Sequence, residues 1–99
     1  MIDYIKEYGV TTIDYEYILH NVKSEILELI YLSETSIREV LEFYNSIGIY
    51  EEISTLIIHR PDLIITPLNV LSEAVKKVRV DAFIGMIRND IDNLIVLGI

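Results

Sequence analysis

Two histidines, a cluster of tyrosines and a few short charged runs are the residues of this chain whose types and spacing could do chemistry. Glu16 and His20 stand four apart, so a helix would set both on one face, a spacing that can hold a metal. No third ligand lies nearby in the sequence, and a surface pair is the simpler expectation. His59 opens the string His59-Arg60-Pro61-Asp62. Asp62 could orient that imidazole, but a histidine at a helix end, beside the negative end of the dipole, is the plainer reading. Arg88-Asn89-Asp90-Ile91-Asp92-Asn93 gathers two acids and two amides. It lacks the glycine and ligand pattern of a calcium loop, so a solvated face is expected. Lys76, Lys77 and Arg79 form the one basic cluster, too small for a phosphate groove. The four glycines stand alone at 9, 48, 85 and 98, which leaves no phosphate loop or dinucleotide fingerprint. With no cysteine there is no thiolate nucleophile and no cysteine-ligated metal. No catalytic, metal or cofactor site is expected.

Tyr4, Tyr8, Tyr15 and Tyr17 lie among Asp3, Glu7, Asp14 and Glu16. Packed inward, such rings fill a small core. Presented outward, they give wide contact area with a polar handle, and these four are the candidate protein-contact residues.

Charge separates the two halves of the chain. Residues 1–52 hold 11 acids and 3 bases, whereas residues 53–99 hold 5 of each. The first half would repel nucleic-acid phosphates and attract a basic protein. No apolar run approaches the roughly 20 residues of a membrane helix, so a soluble intracellular protein without membrane contact is expected. The 19 Ile, 11 Leu and 8 Val exclude a disordered chain and require one aliphatic core, a single domain over residues 1–99.

The elements that must position these residues read as helices. Ile2, Ile5 and Tyr8 make a short one ending at Gly9. Thr11 or Thr12 caps a long one from Ile13 to Leu32, with Ile18, Val22, Ile26, Leu29 and Ile30 inward. Ser36 to Glu39 is a capping box for a helix burying Ile37, Val40, Leu41 and Tyr44, with Gly48 as its left-handed stop. Tyr50, Ile53 and Ile57 continue at helical spacing until Pro61. Thr66-Pro67 starts another helix, and Asp81 caps the last. The fold class is mainly α, a compact bundle of about four to five helices. The apolar stretches near 55–66 and 93–99 leave an α+β alternative with short strands there.

An offset of 39 residues aligns Gly9 with Gly48, Ile18 with Ile57, His20 with His59, and Leu29-x-x-Leu32-Ser33-Glu34 with Leu68-x-x-Leu71-Ser72-Glu73. Within this frame Val40 to Ile53, followed by Leu56-Ile57-Ile58-His59-Arg60-Pro61-Asp62-Leu63-Ile64, resembles one repeat of the mitochondrial transcription termination factor family. A helix ending in a Leu-Gly-Ile-like turn precedes one ending in Arg-Pro-x-Leu. With the flanking matches the likeness spans about residues 26–73. It implies stacked helical repeats and a nucleic-acid-binding role, which that family carries out on basic surfaces. The absence of Gln and Cys beside abundant Ile, Tyr and Glu is similar in composition to small orphan proteins of viruses of hyperthermophilic archaea. The residues themselves point to a non-enzymatic interaction or regulatory protein, acting on a protein partner or by self-association. Nucleic-acid binding is the alternative.

Overall fold

A computed structural model describes residues 1–99. The chain is mainly helical and contains no strand. A 3-10 helix, Asp3–Tyr8, is followed by α1 (Thr12–Asn21), α2 (Ser24–Leu32), α3 (Glu34–Ser46), α4 (Ile53–His59), α5 (Asp62–Ile65), α6 (Leu68–Val75) and α7 (Val80–Asn89). A second 3-10 helix spans Ile91–Leu97. Nine short segments thus replace the four to five helices expected. No helix is long and apolar enough to cross a membrane.

The extra segments arise where an apolar stripe must bend around the core. A continuous helix from Ile13 to Leu32 would be about 30 Å long, close to the 34 Å longest extent of the molecule. Instead Val22 and Lys23 turn extended, with ψ of 141° and 142°. That break lets Ile18 of α1 and Ile30 of α2 both reach full burial. The stretch 55–66 is helical on both sides of Pro61, which adopts φ −59° and starts α5. Its apolar run buries Leu56, Ile57, Leu63 and Ile64 at helical spacing. In 93–99 the buried residues are Leu94 and Leu97, three apart as a 3-10 turn requires, with Gly98 ending it at φ 85°.

Several capping expectations shift in the same way. The Thr11 hydroxyl does accept the Asp14 amide at 3.2 Å. Ser36, however, falls inside the first turn of α3, because the helix already begins at Glu34. Thr66 donates to the Asp62 carbonyl at 2.6 Å, closing α5 rather than capping α6. Asp81 accepts the Ala82 amide within a helix that starts one residue earlier.

The segments group in threes. The first unit is the N-terminal 3-10 helix, α1 and α2; the second is α3, α4 and α5; the third is α6, α7 and the C-terminal 3-10 helix. Between units, the first and second segments pack on their counterparts, while α2 lies on α3. The N-terminal 3-10 helix lies on α3 and α3 on α6, while α1 lies on α4 and α4 on α7. Such neighbour-only packing is that of a short helical stack. The 39-residue offset carries into the first two units. Gly9 and Gly48 are both left-handed, Ile18 and Ile57 both fully buried, and His20 and His59 both in the last turn of their helix. It fails at Leu32-Ser33-Glu34, which joins two helices, whereas Leu71-Ser72-Glu73 lies within α6.

The units are tied at their turns. The Asn45 amide donates to the Tyr8 carbonyl at 3.0 Å and the Ile49 carbonyl at 2.9 Å. Gly9, at φ 116°, lies against Tyr50, whose carbonyl oxygen a Cβ at position 9 would overlap. Gly48 is left-handed too, but faces open space. Gly48→Ala should therefore cost about 1–2 kcal/mol, the left-handed penalty alone. Gly9→Ala should cost clearly more, because the Tyr50 backbone must also move. Thermal melts of the two variants check this, and equal losses would rule out the close approach.

Candidate interaction surface

The four candidate tyrosines do not form a surface patch. Tyr4, Tyr8 and Tyr15 are buried, at 6–7% exposure, and only Tyr17 is open, at 51%. The first three rings sit where the N-terminal 3-10 helix is packed with α1 and α3. They fill a core with no Trp and two Phe. Their hydroxyls are all engaged. Tyr4 donates to the Ile30 carbonyl at 2.5 Å, Tyr15 donates to Asp3, and Tyr8 accepts from Arg38 at 3.1 Å. The Arg38 guanidinium lies 5.0 Å from the Tyr4 ring centre, and Lys6 lies 4.6 Å from that of Tyr15. Three of the four residues expected at a contact site are thus interior in this chain, and Tyr17 alone is exposed.

The other candidates are local pairs. Glu16 and His20 approach to 3.8 Å on an exposed face of α1. No group of three or more His, Asp or Glu converges on a metal-sized point. The Asp62 carboxylate takes both its short contacts, 3.1 and 2.9 Å, from Arg60, so it does not orient His59. His59 instead lines an open polar cleft of about 270 Å³ with Thr55, Arg88, Asp90 and Asp92. Lys76 pairs with Glu73, Arg79 with Asp81, and Lys77 donates to the Leu97 carbonyl at 2.9 Å. The run at 88–93 is exposed as expected, apart from half-buried Ile91, and its Arg88 also reaches inward. Arg88 Nε donates at 2.7 Å to Glu52, a carboxylate only 5% exposed. Burial pushes the Glu52 carboxyl up, but Arg88 and the Glu52 and Tyr50 amides outweigh it and hold the group below its ordinary value. No sequence signal marks a pair 36 residues apart.

No family model, curated protein or solved structure matches this chain.

What the structure adds is α2. Six of its nine residues are apolar: Ile26, Leu27, Leu29, Ile30, Tyr31 and Leu32. Only Ile30 is fully buried, while Leu29, Tyr31 and Leu32 stand 43, 50 and 68% exposed. One flank of α2 opens on a groove of about 390 Å³ shared with Pro61, Asp62, Ile65 and Thr66. The other meets Met1 in a hollow of about 240 Å³ that Leu27 and Tyr31 line. On α1, Ile13 and Tyr17 lie on the face turned away from Tyr15 and Ile18, at 82 and 51% exposure. Glu25 and Glu28 on α2, and Asp14 and Glu16 on α1, interleave these positions. The signal was present in the sequence as a surplus. Leu27, Tyr31 and Leu32 are more apolar residues than one buried stripe can absorb.

Two outcomes follow. Tyr4→Ala should destabilise by about 3–5 kcal/mol, as for other buried aromatic truncations, whereas Tyr17→Ala should stay within about 0.5 kcal/mol. Urea denaturation distinguishes them, and a silent Tyr4→Ala would return that ring to the surface. The second outcome is alkaline sensitivity. Burial, then the Glu34 charge, raises the Tyr4 phenol, and burial, then Asp62, raises that of Tyr44. Burial and the Asp3 hydrogen bond push Tyr15 up to about 12. A raised folded value favours the neutral phenol in the native state. The stabilisation is therefore whole below the ordinary tyrosine value near 10 and is lost as pH climbs through the raised values. Melting temperature measured from pH 8 to pH 12 should fall steeply above 10; a flat profile would contradict the burial of these hydroxyls.

Proposed function

We propose that the protein is a non-catalytic interaction module that engages a protein partner through the outer side of its first unit, α1 and α2. The observation that carries this reading is α2, a helix apolar nearly all round with one fully buried residue. Helices of that composition belong in a core, and left uncovered they mark contact surfaces. The surrounding carboxylates favour a partner with basic groups and speed its approach. The polar cleft at His59 holds no nucleophile bonded to a base, so an enzyme is less well supported.

The alternative is a nucleic-acid-binding helical repeat, which draws on the likeness of residues 26–73 to termination factor repeats and on the stacked units. Against it stand the acid excess of the first two units and the local pairing of Lys76, Arg60 and Arg79. The test is a photo-crosslinking side chain at Leu32 or Ile13, with the exposed Glu39 of α3, in the middle unit, as the control position. Protein adducts are expected at the first two and not at the control. Gel-shift titration with duplex and single strands at about 150 mM salt completes the comparison. Saturable binding there at low micromolar protein, without protein adducts, would overturn the module and favour the repeat.

A further inference from the structure

We infer that the partner is a second copy of this chain, stacked head to tail, with the third unit of one copy seated on the outer side of the first unit of the next. This rests on the reading of the α1–α2 side as a contact surface, and names what covers it. The first two segments of each unit pack on their counterparts in the next, so each end of the stack presents a unit with one neighbour instead of two. The exposed large apolar residues follow that division. All but Tyr50 belong to the end units, including Ile13, Tyr31 and Leu32 in the first and Val80, Ile95 and Val96 in the third. The middle unit, covered on both sides, has almost none.

Charge weighs against a two-fold contact through the first units, and one through the third units would leave the α1–α2 side uncovered. Residues 1–33 carry 6 acids and 2 bases, and residues 67–99 carry 4 of each. The bases of the third unit include Lys76, Lys77 and Arg79 at the α6–α7 turn. The Lys77 bond to the Leu97 carbonyl holds that turn beside the Ile95–Val96 segment. The third unit is charge-balanced, with Lys76 and Arg79 paired to Glu73 and Asp81, so its apolar residues can meet the acidic first unit without like-charge repulsion. A two-fold dimer through the first units would instead oppose Asp14, Glu16, Glu25 and Glu28 with their own copies. A contact of ordinary size takes about 800 Å² from each partner, a modest share of the 5651 Å² surface. Because the two surfaces differ, the contact is heterologous and does not close at two copies.

The test blocks each end separately. Ile13→Arg with Tyr31→Arg, and Ile95→Asp with Val96→Asp, each put charged side chains into the apolar part of one end. All four positions are exposed, and far-ultraviolet circular dichroism confirms that each double variant keeps its helices. In sedimentation velocity the unmodified chain should exceed twice its 11.5 kDa mass as concentration rises. Each double variant alone should stay monomeric. Mixed in equal amounts, they should form a one-to-one pair that grows no further, since only one complementary pair of ends remains. Self-association of the Ile95→Asp, Val96→Asp variant alone would replace this arrangement with a two-fold contact through the first unit. A chain that stays monomeric at millimolar concentration overturns head-to-tail stacking. If Leu32 then still crosslinks to a different protein, the interaction module stands without it.

Discussion

Arg38 holds the first unit to the second. Its guanidinium donates to Glu7 at 3.1 and 3.2 Å, to Glu34 at 2.8 Å and to the Tyr8 hydroxyl at 3.1 Å, and it faces the Tyr4 and Tyr8 rings. The segment it holds is a six-residue 3-10 helix, a geometry that does not persist on its own. Released from α3, that segment would no longer support α1, and Tyr4 would no longer reach the Ile30 carbonyl in α2. Arginine suits the position because one planar fork can serve two carboxylates and lie over aromatic rings at once. A lysine there would keep the charge and lose most of the geometry. Two turns further along α3, Asn45 continues the same seam with backbone acceptors.

The dependence on such seams follows from helix length. The helices run from four to thirteen residues, below or near the length at which an isolated helix is marginal in water. Tertiary packing therefore decides where each begins and ends. This explains which parts of the fold were legible in the sequence. The Ile37, Val40, Leu41, Tyr44 stripe, the Thr11 cap and the glycine stops at 9 and 48 are local signals, and the chain obeys them. The break after Asn21 is not local. Val22 and Lys23 carry no turn chemistry, and they bend because Ile18 and Ile30 must enter one core. Nor could periodicity tell strand from helix in 55–66 and 93–99, where helix faces buried on several sides leave no polar alternation to read.

Site residues were less legible still. The sequence offered Tyr4 and Tyr8 as contact residues but could not say whether their rings met water or α3. The deciding partners, Ile30 and Arg38, lie 26 and 30 residues away. Glu52 and Arg88 pose the same problem across 36 residues. The surface that did emerge was encoded as an excess of apolar residues on α2, which becomes meaningful only once the core is seen to need one of them.

An excess of that kind is dangerous in a small chain, because apolar ends associate without discrimination. The acids of the first two units limit this. A formal charge of −8 repels random encounters between copies, and carboxylates beside Ile13 and Tyr31 make contact between like ends unfavourable. Apolar area supplies attraction, which is non-directional; charge removes most of the ways of using it. The same distribution weighs against phosphate as a ligand. It is thus the arrangement of charge over the three units, rather than any single residue, that narrows what this fold can bind.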